Sequence, residues 1–266
     1  MSPVGLSSTP RLRAGVLAGV LAVACKPATE EEKFEGALAR ADIDEIRAHL
    51  DGGKTPTAVL DDGNQPLHVV AKSHRGSLEA VALLVERGAD VSATNADGKT
   101  PWDLAWGDSQ PWLSAAETEV LLGLLDAGFI PPTPTLPQGR TLLHAVAERA
   151  SSVRLVSVMV DKLGLPVDAR DEAGWTPLHV AVHEHRVESA TALLEKGADP
   201  NAETTAVVGQ SRDRDDPNAW NWRYEAGSRP LDVYRPASRG RTGTDVRKVL
   251  EQYGATSNPA VKNKPR

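Results

Sequence analysis

The chain contains a single cysteine, Cys25, in 266 residues. That excludes an internal disulfide and any zinc site built from several thiolates. Aromatic residues are scarce, 4% of the total, and include only two phenylalanines and three tyrosines. A core must then be made chiefly of Leu, Val and Ala, which suits thin, repeated helical layers better than one bulky centre. Positive charge is not in excess: 30 Lys and Arg stand against 36 Asp and Glu, a formal charge of −6. A nucleic-acid partner is not expected, because neutralising phosphates requires a basic face. Long apolar runs are missing as well. The run Ala14 to Ala24 has 11 residues, against the ~20 that a membrane-spanning helix needs.

That short run is nonetheless informative. Arg11 and Arg13 precede it, no acid occurs before Glu30, and the small residues Ala22 and Ala24 lead directly to Cys25. A positive start, an apolar stretch and small residues are the marks of a secretory leader. The stretch "LAVAC" resembles a bacterial lipoprotein signal, with Ala22 where that family usually has Leu and Leu21 one step earlier. The resemblance implies removal of residues 1–24 and lipid attachment to Cys25. It also implies a location in the bacterial cell envelope, facing the periplasm. Acyl chains at ~0.8 kcal/mol per buried methylene make a durable anchor. Lys26, rather than an acid, follows the cysteine, which points to the outer membrane. Residues 25–33 read as a polar tether.

From residue 34 onward the dominant signal is self-similarity. "DGNQPLHVVAKSHRGSLEAVALLVERGAD" from Asp62 and "EAGWTPLHVAVHEHRVESATALLEKGAD" from Glu172 share Gly, Pro-Leu-His, Ala, Leu-Leu and Gly-Ala-Asp in the same order. "DGKTPWDLAW" and "QGRTLLHAVAERA" repeat the opening. The glycines Gly63 and Gly98 are 35 apart, as are Gly139 and Gly174, while Gly98 to Gly139 is 41. The excess falls on the proline-rich "FIPPTPTLPQG", which reads as a longer loop and a joint between two halves. A period of this size marks a solenoid. The physics of the signature is local: Thr caps a helix N-terminus, Pro fits the first turn, and Gly allows the left-handed stop of the second helix.

These residues resemble ankyrin repeats over 34–256. The resemblance implies an all-α solenoid of stacked helix-turn-helix units joined by short β-turns, about six in number. "FEGALARADIDEIRAHLDGG" and the segment from "GSRPLDVY" to Gly254-Ala255 read as degenerate caps. One insertion, residues 204–228, precedes the last unit. It is polar and loop-like, yet carries Trp220, Trp222 and Tyr224; such a loop folds back onto the solenoid or meets a partner. Residues 257–266 read as a disordered tail.

Several stretches imitate catalytic or ligand motifs. "ATNADGKT" fits a relaxed phosphate-loop pattern, but Ala93 stands at its first position and Pro101 follows without an N–H. "DRDDPN", Asp213 to Asn218, fails the helix-loop-helix calcium pattern, with Asn218 where Gly is required and Tyr224 where Glu is required. His179 and His183 lie four apart on one helical face, a spacing that can hold zinc. Val180, however, stands where a general-base glutamate would be. His68, His144 and His179 are the signature histidines, which the resemblance assigns to hydrogen bonds between neighbouring loops. No cofactor or metal is expected.

The reading is a non-enzymatic protein-binding module, monomeric, whose partner is another protein. A sharper form is a periplasmic immunity protein that neutralises a secreted toxin. The rival class is a metal-dependent enzyme using the His179/His183 face. The resemblance places contacts at turn tips and on the exposed side of each first helix. By position these are Asp61, Asp62, Asn64, Asp97, Lys99, Arg140, Glu172 and Trp175 at the tips, with Lys72, Asp108, Glu148, Arg149, His183 and Glu184 on the helices. Trp175, just before Thr176, is expected to point outward as a binding hot spot.

Overall fold

The computed structural model describes residues 28–107, 113–132, 136–150, 152–211, 220–234 and 246–261. Its helices come in six consecutive pairs: α1 (Glu30–Arg40) with α2 (Ile43–Asp51), α3 (Pro66–Lys72) with α4 (Leu78–Glu86), and α5 (Pro101–Trp106) with α6 (Ala115–Asp126). Then follow α7 (Leu142–Arg149) with α8 (Val153–Leu163), α9 (Pro177–His183) with α10 (Val187–Glu195), and α11 (Pro230–Val233) with α12 (Val246–Gln252). The odd-numbered helices pack in one row, α1 on α3 on α5 and α7 on α9 on α11, and the even-numbered helices in a second row behind them. The expected solenoid of six units is therefore the observed architecture.

The helix starts are encoded as expected. Thr176 caps α9 and Thr100 caps α5, each with a proline in the first turn. The core between the rows is aliphatic: Leu84, Leu121, Leu143 and Leu155 are fully buried. The turn glycines Gly63 and Gly174 have φ of +70° and +77°. A Cβ at Gly174 would lie 2.6 Å from the backbone nitrogen of Thr205, and one at Gly63 would lie 2.8 Å from that of Ala96. Glycine is required there twice over, for the left-handed turn and for the close approach of the next turn. Gly123 acts differently. It lies inside α6, and a Cβ there would meet Val81 of α4 at 2.9 Å. Gly123→Ala adds about 1 kcal/mol of helix propensity but forces an overpacked contact that costs about 1–3 kcal/mol. The expected net loss is up to about 2 kcal/mol in urea unfolding; a more stable variant would show that α4 and α6 can separate freely.

Three segments depart from the sequence reading. The tether 25–33 is too long, because α1 already begins at Glu30. Thr29 and Glu32 form a reciprocal capping box, and three acids fill the first turn, where the helix dipole favours negative charge. The insertion 204–228 is more than a loop. Val208–Ser211 (β1) pairs antiparallel with Trp220–Tyr224 (β2). The hairpin's base is closed by Thr204 N–H donating to the Ser228 carbonyl at 3.0 Å and Gly227 N–H to the Thr204 carbonyl at 2.7 Å. The start of the tail is docked too: Asn258 donates its backbone N–H to Asp232 at 3.0 Å and its side-chain amide to the Gly227 carbonyl at 3.0 Å. The leader, Cys25, Asp108, the acidic run 213–218 and residues 262–266 lie outside the described residues. Among the described residues no helix is long and apolar enough to cross a membrane.

Candidate functional site: the turn tips and the inner helix face

The signature histidines hold the tips in register. All three are completely buried. In each, Nδ1 accepts a backbone N–H from the helix cap, Gln65 for His68, Thr141 for His144 and Thr176 for His179, at 3.1, 3.1 and 3.2 Å. Each Nε2 lies within 3.0–3.2 Å of a carbonyl in the next unit: Lys99, Trp175 and Ser228. Since Nδ1 accepts, Nε2 carries the proton and donates. His68 and His144 reach 31 residues ahead, and His179 reaches 49. The hairpin accounts for the difference; it is spliced in without disturbing the register of the tip that follows.

Two units have Asp where the histidine should be. Asp103 accepts Thr100 N–H at 2.8 Å and Asp232 accepts Arg229 N–H at 2.9 Å. A carboxylate reproduces the Nδ1 acceptor but cannot donate forward to the next turn. At the sixth unit Asp232 instead accepts the backbone N–H of Asn258 from the segment after α12. At the third unit the missing bond coincides with the proline-rich joint, where α5 and α7 make little contact and the stack continues through α6 and α8. Arg149 spans this gap. Its guanidinium donates to the carbonyls of Trp106 at 2.7 Å and Gly107 at 3.0 Å and sits 4.8 Å over the Trp106 ring.

The structure thus sorts the expected contact residues. Asp61, Asp62, Asp97 and Glu172 are exposed at the tips, and Lys72 and Glu184 are exposed on the inner helices. Asn64 is engaged within the solenoid, accepting from the Asn95 amide at 3.0 Å and donating to the Asp61 carbonyl. Lys99 is half-buried, its backbone held by Asn95 and His68. Arg140 is half-buried and paired with Glu148 at 3.0 Å. Arg149 is the joint clamp already described, and not an outward-facing contact. His183 is half-buried, bonded through Nδ1 to Glu184 at 2.8 Å.

Trp175 is the largest correction. It is only 7% exposed, enclosed by the rings of His179, His183 and Tyr224 at 5.9, 5.4 and 5.9 Å. Tyr224, from the insertion, is itself 1% exposed. The hairpin covers the tryptophan, so at Tyr224 the insertion folds back onto the solenoid. His179 and His183 cannot share a metal in this arrangement, since both ring nitrogens of His179 are spent on internal bonds. Among the described residues no three His, Cys, Asp or Glu side chains cluster to hold a metal ion.

Two grooves among the described residues lie along the inner face. One of about 510 Å³ lies between the first two units, lined by Glu32, Glu35, Asp61, Asp62, Val69 and Lys72 among others. The other, of about 500 Å³, lies between the inner ends of α7 and α9 and the hairpin.

Comparison with known proteins agrees with this geometry. Residues 113–204 match the family model for ankyrin repeats in three copies, and residues 62–96 match the model for the ankyrin repeat. The ankyrin repeat protein nuc-2 of Neurospora crassa is 32% identical over 167 residues, 60% of this chain and 14% of that protein. Human protein phosphatase 1 regulatory subunit 27 is 39% identical over 66 residues, 25% of this chain and 42% of that protein. Mouse NF-kappa-B inhibitor delta is 30% identical over 143 residues, 53% of this chain and 41% of that protein. The chain spans less than half the length of each of these relatives.

Proposed function

Because the chain folds as an ankyrin-repeat solenoid, we propose that it is a non-enzymatic module that binds another protein, held by lipid on Cys25 in a bacterial envelope. The observation that carries the binding reading is the inner face itself. Exposed acids at the tips of the second, third and fifth units, Asp61, Asp62, Asp97 and Glu172, sit on a scaffold whose buried signature histidines are all committed to holding the tips in line. Such a row of rigid, evenly spaced turns is an extended recognition surface rather than a reaction centre. Two of the similar proteins carry names, a regulatory subunit and an inhibitor, that state an action on another protein.

The partner test is in-cell cross-linking from the tips, with a photoreactive side chain placed at Asp97 or Glu172 and, as control, at Glu86 on the outer row. A partner captured from the tip positions alone supports the reading, and equal capture from Glu86 removes it. The anchor reading rests on the leader and the lone cysteine, and its test is separate. Cys25→Ser is expected to move the protein from the detergent-soluble membrane fraction to the soluble fraction and to abolish incorporation of labelled fatty acid. Unchanged membrane association in that variant would rule out the lipid anchor.

A further inference from the structure

The groove beside the hairpin has a composition that selects its occupant, and this inference rests on the protein-binding reading above. Its floor and one wall are apolar: Trp175 and Val180 lie below, and Val207 and Val208 rise from the hairpin. Val207 is 44% exposed, a large aliphatic side chain left uncovered at the edge of a groove. Around it stand four carboxylates, Glu148, Asp171, Glu172 and Glu184, against one guanidinium, that of Arg140. Glu148 already neutralises Arg140 at 3.0 Å. Asp171 faces backbone N–H groups of Ala173 and Trp175 at 3.0 and 2.8 Å, and Glu172 and Glu184 are exposed at the rim, Glu184 also holding His183 Nδ1 at 2.8 Å. The groove between the first two units shows the same imbalance independently, with Glu32, Glu35, Asp61 and Asp62 against Lys72. These two hollows are therefore negative, and of the two the one beside the hairpin combines that charge with a tryptophan floor and an exposed valine wall.

We propose that this second groove docks a cationic segment of the partner protein, an apolar side chain resting against Val207 and Val180 with lysines or arginines on either side reaching the acidic rim. Charge complementarity sets the sign of the partner and the apolar wall gives the site its register. A merely electrostatic surface would accept any polycation; this groove requires the apolar residue as well. The insertion thereby has a purpose in the array. It seals Trp175 with Tyr224 and raises a wall that the other units lack.

The test uses the full-length protein in detergent and a fluorescein-labelled peptide with one leucine flanked on each side by two lysines. Two control peptides carry serine for leucine or glutamate for lysine. Fluorescence anisotropy is expected to show the lysine–leucine peptide binding at least tenfold more tightly than either control. Glu172→Lys with Glu184→Lys, and separately Val207→Asp, are each expected to weaken it tenfold or more. Asp61→Lys with Asp62→Lys should change it less than threefold. All substituted side chains are exposed, and circular dichroism confirms that each variant is folded. Equal binding of the serine peptide would overturn the proposal, leaving only non-specific charge attraction. So would loss of binding in the Asp61/Asp62 variant alone, which moves the site to the other groove yet leaves the solenoid a binding module. Absence of any peptide binding overturns the groove assignment, while the cross-linking at the tips decides the broader reading on its own.

Discussion

Replacing Trp175 by alanine should destabilise the protein by about 3–5 kcal/mol, the range for removing a large buried aromatic side chain. The side chain is 7% exposed and holds three ring contacts, one with His183, which lines the groove, and one with Tyr224 of the hairpin. Its backbone carbonyl receives the His144 bond at 3.0 Å, so a collapsed side chain also disturbs the tip-to-tip register. Loss of Tyr224's packing partner should free the hairpin, making the 204–228 segment the first site of cleavage in limited proteolysis. The indole N–H of Trp175 is buried without a hydrogen-bond partner, a cost borne by the folded state. Trp175→Phe keeps most of the ring packing and removes that unpaired donor, so its loss should stay below about 1.5 kcal/mol. Urea unfolding with the two variants side by side decides the matter. An alanine variant as stable as wild type would return Trp175 to the surface role that its sequence position suggests.

Why that position misleads is a matter of long-range contacts. The solenoid was legible because its signals are local and repeat. Pro-Leu-His after a cap residue, small residues on one helix face and a closing Gly-Ala-Asp each specify a turn or a helix end, and recurrence about 35 residues apart supplies the stacking. Trp175 sits at a tip, where most residues are exposed. What buries it is Tyr224, 49 positions away across an insertion with no counterpart in the other units. One cue was present: Glu172-Ala173-Gly174 recurs as Glu225-Ala226-Gly227, marking where the repeat resumes and hence that the segment between must close as a hairpin. Arg149 departs from its expected place for a related reason. Helical position alone placed it on the exposed side, whereas its partners, the Trp106 and Gly107 carbonyls, lie more than 40 residues back. The sequence showed an Asp in place of His at position 103. It did not show that another side chain must then bridge the joint. At the N-terminus, the charge of residues 25–33 suits a solvated tether, but Thr29 followed by Glu32 is also a capping box, and the cap prevails.

The second large effect is loss of stability in mild acid. In the folded protein each signature histidine accepts a backbone N–H at Nδ1 and sits at a carbonyl through Nε2. Protonating Nδ1 would set two donors against each other inside the solenoid. Burial holds all three imidazoles below the ordinary histidine range, and carries His179 from 6.5 down to about 4. The Ser228 carbonyl opposes that shift without cancelling it. Between those values the unfolded chain binds a proton at this site that the folded chain refuses, so stability rises with pH through the window and is complete above about 6.5. Falling from pH 7 to pH 4 therefore costs about 3 kcal/mol at His179, taking 1.36 kcal/mol for each pH unit between the folded and unfolded values. His68 and His144 add to the loss in the same direction. Asp168, raised by burial, contributes in the opposite sense, since a carboxyl that holds its proton more tightly when folded favours the folded state as pH falls. Urea midpoints at pH 7, 5.5 and 4.5 measure the slope. His179→Asn removes the titrating ring: it should lose about 1–3 kcal/mol at pH 7 through unpaired polar groups and show a visibly flatter pH dependence than wild type. Parallel curves for the two proteins would mean that the acid sensitivity arises elsewhere. The expected flattening would assign it to the hydrogen bond that carries the fifth unit across the hairpin to the sixth.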